Sequence, residues 1–178
     1  MANTHYATSG LSGVDLNNIT SSANRAAGLG QQFALGTRTS GTNQSQWAFV
    51  YATAAIAQYA LVGIQASGTA AELTSTLARA QTAIMGGLGI AQQAFVAGDY
   101  GWVATEGTAL TVLTTAASTA GERLYTTATA GRVSTAIATA ADAGVTGLRI
   151  SVTTGATASS APALASNLVL TYPSNLTT

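Results

Sequence analysis

LGIAQQAFVAGDYGWVATEGTALTVLT, residues 88–114, decides the fold class of this chain. Apolar and β-branched residues run in short blocks, broken by Ala97-Gly98-Asp99 and by Glu106-Gly107. Gly and Asp at such breaks supply turn geometry. The stretch therefore reads as three strands, Leu88–Val96, Tyr100–Thr105 and Ala109–Leu113, and loops this short join antiparallel neighbours.

Upstream, QWAFVY sets Trp47, Phe49 and Tyr51 in alternation with Ala48 and Val50, a period of two in strand-favouring residues. Tyr59–Ile64 reads as a further strand, with Ala52–Gln58 between them as a turn of helix or a wide loop. Residues 36–45, GTRTSGTNQS, are turn formers and read as a loop. The stretch 69–84 carries two signals. Thr69 and Glu72 have the spacing of a capping box, with Leu73, Leu77 and Ile84 on one helical face, while Thr74, Thr76 and Thr82 favour strand. Both readings stay open.

Downstream, strands are expected at Arg123–Thr126, Arg132–Thr135 and Leu148–Thr153, with turns at Ala120-Gly121 and Ala130-Gly131. The tract 153–166 reads as a long uncharged loop. Leu168–Tyr172 closes the sheet before Pro173. Residues 1–35 show no sustained strand period, and Gly28 and Gly30 weaken a helix over 20–34. The expectation is a mainly β protein: an antiparallel β-barrel or sandwich over 36–178 as one domain, an extended N-terminal arm over 1–35, and at most one short helix.

Composition narrows the function. The chain holds six arginines, six acids, one histidine, and neither lysine nor cysteine; only 7% of it is charged. An average domain has roughly 25%. So neutral a surface dissolves poorly when left bare, which implies cover by other chains. At 47% hydrophobic but 6% aromatic, the core is built of small side chains, and burial at subunit contacts would add to a thin margin. The arginines at 25, 38, 79, 123, 132 and 149 are dispersed, so no basic patch for nucleic acid is expected. No run reaches the ~18 apolar residues of a membrane helix, and MANTHYATSGLSG lacks the features of a secretory signal.

Few residues could carry chemistry. His5 stands alone in the arm, too little for a zinc site. No nucleophile elbow precedes a helix with a histidine after it. Among Asp15, Glu72, Asp99, Glu106, Glu122 and Asp142, three adjoin glycine and read as turn residues rather than paired catalytic carboxylates. Asp99 most simply supports its own turn. Gly86-Gly87-Leu88-Gly89 has no following lysine and is no phosphate loop, and no Asp-rich calcium loop occurs. No catalytic residue, cofactor or metal is expected. Candidate contact residues are Leu11, Val14, Leu16 and Ile19 in the arm, then Trp47, Tyr51, Trp102 and Tyr172. Aromatics at strand spacing suit a core first, although Trp and Tyr also favour contact centres.

Certain strings resemble a known family. Leu35-Gly-Thr-Arg38, Trp47-x-Phe-Val-Tyr51 with Ile56, Tyr59 and Val62-Gly-Ile64, Leu88-Gly-Ile-Ala-Gln-Gln-Ala-Phe95, Tyr100-Gly-Trp-Val103, Leu124-Tyr-Thr-Thr127 with Gly131, and Leu168-Val-Leu-Thr-Tyr-Pro173 are similar to the decoration, or cement, proteins of tailed-bacteriophage heads. The resemblance spans about 35–173. It implies a barrel-like subunit on the outside of an icosahedral head, made in the bacterial host cytoplasm. Such a subunit binds the major capsid protein, with a homotrimer favoured, and clamps capsomers against internal DNA pressure. The arm would dock on the shell, so removing residues 1–30 should abolish attachment and leave the barrel folded. The alternative is a head appendage or fibre-like module whose Trp47, Tyr51 and Trp102 stack on a host glycan.

Overall fold

The computed structural model describes residues 14–21, 23, 31–80, 84–155 and 159–172. Its strands are β1 (Arg38–Gly41), β2 (Ser45–Ala52), β3 (Leu61–Ile64), β4 (Thr69–Glu72), β5 (Gly87–Ile90), β6 (Tyr100–Leu113), β7 (Leu124–Thr126), β8 (Val133–Ser134), β9 (Gly144–Ile150) and β10 (Ser160–Thr171). Between β4 and β5 lies one short helix, α1 (Ser75–Arg79).

The protein is mainly β, with a closed five-stranded barrel and further strands extending from it. Around the barrel the order is β2-β4-β3-β5-β6, closed by β6 pairing back onto β2. From β6 the sheet continues through β10, β9, β7 and β8. All of these pairings are antiparallel except β2 with β4.

Strand β6 joins the two parts. Residues from Tyr100 to Glu106 pair with β2, and Gly107 to Leu113 pair with β10. The turn expected at Glu106-Gly107 is therefore a bend inside one 14-residue strand. Gly107 has φ 152°, and a β-carbon there would lie 3.1 Å from Ser45 Cβ. Glycine thus supplies close approach here rather than a chain reversal.

Other expectations shift for equally local reasons. The loop over 36–45 contains β1, turned onto β2 by left-handed Asn43 and Gln44. Within 69–84 the two signals fall the other way round: the capping-box residues Thr69 and Glu72 lie in strand β4, and the strand-favouring Thr74 and Thr76 lie at the cap and inside α1. Its N-cap is Thr74, whose hydroxyl accepts from Leu77 N at 3.1 Å. Glu72 instead accepts from Ala57 N at 2.6 Å. Strand β5 ends at Ile90, short of the expected Val96, and buried Gln92 then bonds β6 with its side chain, donating to Thr111 O and accepting from Thr111 N. The tract 153–166 is not all loop, since β10 starts at Ser160.

The barrel strands are buried on both faces. Ala48, Val50, Val62, Ile64 and Val103 form one cluster. Trp47, Phe49, Leu61, Ile90 and Trp102 belong to another, which also takes in Leu110, Leu148, Ile150, Ala161 and Ala163. The second cluster thus packs the extended sheet against the barrel. Phe33, Phe49 and Trp102 form its aromatic centre, with ring centroids 5.1–5.3 Å apart.

The described part of the N-terminal region lies on the barrel. Thr20 and Tyr100 exchange two backbone hydrogen bonds, of 2.8 and 2.9 Å. Leu16 is buried, and Ile19 closes over Gly101, where any β-carbon would come within 2.6 Å of its Cδ1.

Candidate functional site

Alternation along β10 turns Ala161, Ala163 and Ala165 to the core and leaves Pro162 and Leu164 outside. Leu164, Val169 and Tyr172 are all substantially exposed, as are Ile137 and Val152 on adjoining loops. By register Leu164 lies opposite Arg149, and Val169 opposite Thr146. Apolar groups gathered this way on a folded surface are the usual mark of a contact region.

Within this face a groove of about 450 Å³ runs between β7, β9 and the end of β10. Gly144 lies opposite Tyr125 on one side and Thr171 on the other. A β-carbon at Gly144 would stand 2.7 Å from Thr171 Oγ1, so the missing side chain makes room. Arg123, Arg149, Ile137 and Tyr172 also line the groove, and no acid among the described residues does. Arg149 Nη1 donates to Gly121 O at 2.8 Å. Arg123 is exposed and makes no hydrogen bond or ion pair with the described residues. The groove thus holds two guanidinium groups and no lining carboxylate among the described residues, with exposed Glu122 beside Arg123 in sequence but outside the lining.

Tyr172 ties the groove to α1. Its hydroxyl donates to Ala78 O, and Arg79 lies over its ring at 6.0 Å. Burial pushes the phenol pKa up, and the Arg79 charge draws it partly back, leaving it above the ordinary value.

Buried polar groups elsewhere hold loops. Asp142, 1% exposed, accepts from Ser75 Oγ, from the amides of Ala138 and Thr139, and from Thr139 Oγ1. Burial acts to raise its pKa, but those hydrogen bonds outweigh it and hold the carboxyl below the ordinary value. Asp99 accepts from Val96 N at 2.7 Å within its own turn. Among the described residues no three His, Cys, Asp or Glu side chains gather as a metal site would, and no helix is long and apolar enough to cross a membrane.

The candidate contact residues divide sharply. Leu11 lies outside the described residues. Val14 and Ile19 pack against the two core clusters. Leu16, Trp47 and Trp102 are 1%, 0% and 2% exposed, so they serve the chain's own core and offer no face to a partner. Trp47 Nε1 also donates to Ser45 Oγ at 2.6 Å. Tyr51 is half-buried beside Tyr100, with ring centroids 5.0 Å apart. Of the described candidates, only Tyr172 stands on the exposed face. Sequence reasoning missed Arg123 and Arg149, which are dispersed along the chain and brought to one groove by the β7–β9 pairing. Alternation in Arg123-Leu124-Tyr125 and Leu148-Arg149-Ile150 places each on an outer face, but nothing local says that they meet. Compared with protein-family models, with curated proteins and with solved structures, the chain gives no match.

Proposed function

We propose that this protein is a bacteriophage head decoration protein, which binds the outside of the assembled head and bridges neighbouring major capsid subunits. The observation that carries the reading is the set of exposed apolar side chains on the outer side of the extended sheet and its adjoining loop, Leu164, Val169, Tyr172 and Ile137, on a chain only 7% charged. Such a face gains by being covered. The resemblance of the strings over 35–173 to cement proteins supports the same reading.

The mechanism is linkage. A subunit that touches two shell proteins at once buries area available only in the assembled state, so its binding shifts the equilibrium towards assembly. Many copies then turn modest contacts into strong collective retention. A trimer over a capsomer junction would multiply those contacts further.

Mixing the purified chain with heads stripped of it, followed by sedimentation, tests this directly. Saturable co-sedimentation, with the coated heads surviving heating that opens bare ones, is the expected result. A chain that stays in the supernatant at every concentration overturns the reading.

A further inference from the structure

We propose that the groove between β7, β9 and β10 is a docking site for an extended acidic segment of a partner protein, whose carboxylates pair with Arg123 and Arg149. The inference rests on reading this face as a contact surface, and it names the chemistry that the partner brings.

Charge complementarity carries the argument. Two of the chain's six arginines line one groove, and no carboxylate among the described residues answers them there. Arg123 has no partner at all among those residues, and Arg149 gives one nitrogen to Gly121 O and keeps other donors for a ligand. A guanidinium fork presents paired N–H groups that match a carboxylate in a bidentate bond.

The surroundings decide among anions. Ile137 and Tyr172 line the groove itself, and Leu164 and Val169 stand beside Arg149 and Thr146 in the sheet register. A free inorganic anion leaves those apolar groups wet. Nucleic acid needs a broader basic stripe to release enough counterions, and two cations supply little of that. An extended polypeptide with alternating acidic and aliphatic side chains satisfies both parts, since its alternate residues point to one side. The chain's own acids fit poorly as the acceptors, supplied by a second copy. Asp99 and Asp142 are buried, and Asp15, Glu72, Glu106 and Glu122 lie apart in sequence.

Isothermal titration calorimetry on the whole chain tests this. The probes are an acetylated and amidated peptide of three Glu-Val repeats, its Lys-Val and Gln-Val counterparts, and inorganic phosphate. The Glu-Val peptide should bind at least about tenfold tighter than the Gln-Val peptide, weaken with added salt, and outcompete phosphate. Arg123→Glu should abolish binding with an unchanged melting temperature, because Arg123 holds no hydrogen bond to the described residues. Arg149→Ala should weaken binding about tenfold or more. In the Arg123→Glu variant the Lys-Val peptide should gain what the Glu-Val peptide loses. Equal binding of all three peptides, no binding of the Glu-Val peptide, binding untouched by Arg123→Glu, or phosphate bound as well as the peptide overturns the proposal. Those outcomes leave head sedimentation of the wild-type chain as a separate readout, so failure of the acidic-segment proposal and failure of the decoration reading are told apart.

Discussion

Ser75 and Asp142, 67 residues apart in the chain, meet in a buried hydrogen bond of 2.5 Å. It fixes the start of α1 to the loop before β9. Thr126 extends the link, its hydroxyl donating to Ser75 Oγ at 3.4 Å and accepting from Ala143 N at 2.9 Å. The same loop is gripped from outside by Arg79, whose Nε donates to Ala141 O at 3.2 Å. Helix α1 and the strand pair β7–β9 are therefore held as one piece, and the groove beside them keeps its shape.

Asp142→Asn should destabilise the protein by about 2–3 kcal/mol at neutral pH, because charge-assisted acceptor bonds are replaced by an amide that also carries donors. The sign of the pH effect follows from the lowered pKa. The carboxylate's contribution is complete above its ordinary value of 3.8 and vanishes as pH falls through the still lower folded value. Melting curves of wild type and variant should thus lie furthest apart near neutrality and converge only as pH falls well below the ordinary carboxylate value of 3.8. A constant gap across that range contradicts the assignment.

Gly147→Ala should disrupt the β9–β10 edge of the groove. Gly147 has φ 85°, and a β-carbon there would lie 2.1 Å from Ser166 O and 2.8 Å from Asn167 O. Both are backbone atoms, which cannot rotate aside. A loss of at least about 2 kcal/mol in denaturant unfolding is expected. A loss below about 0.5 kcal/mol would mean that the bulge between Ala165 and Val169 relaxes freely.

Leu16→Ala should cost about 2–4 kcal/mol, the ordinary range for emptying a buried leucine site. Chemical denaturation measures it. The result separates a built-in strap from a free arm, since a leucine in a projecting arm would leave stability unchanged. It also bears on truncation: deletion of residues 1–30 removes Leu16 and Thr20 and so strips cover from the barrel, against the expectation that the barrel survives intact.

Both tryptophans should report a sealed core. Trp47 and Trp102 are buried, so intrinsic fluorescence should be blue-shifted and resist acrylamide quenching. Binding to a head should leave both properties unchanged. Ready quenching in the free chain would place an indole at the surface.

The legible parts of this fold are those whose residues alternate strongly. Trp47, Phe49 and Tyr51 announced β2, and Gly98-Asp99 announced the turn before β6. The illegible parts have physical causes. Strand β10 is built on Ala161, Ala163 and Ala165, whose small side chains look like loop, and Pro162 lacks a ladder donor. Gly107 marks a bend, yet reads as a turn because glycine serves both. Thr74 caps α1, and the pair Thr69 and Glu72, whose spacing suits a cap, is drawn into β4 by pairing with β2 and β3. The groove was hidden most deeply. Arg123 and Arg149 reach one groove only through pairing between β7 and β9, which no local pattern encodes.

Reconstruction of heads assembled in the presence of this protein is the most direct test of the decoration reading. The account predicts ordered density for the barrel on the outer surface, at capsomer junctions, with the face bearing Leu164, Val169 and Tyr172 turned to the shell. Heads with bare outer surfaces, from a preparation in which the chain stays a free monomer, would contradict it.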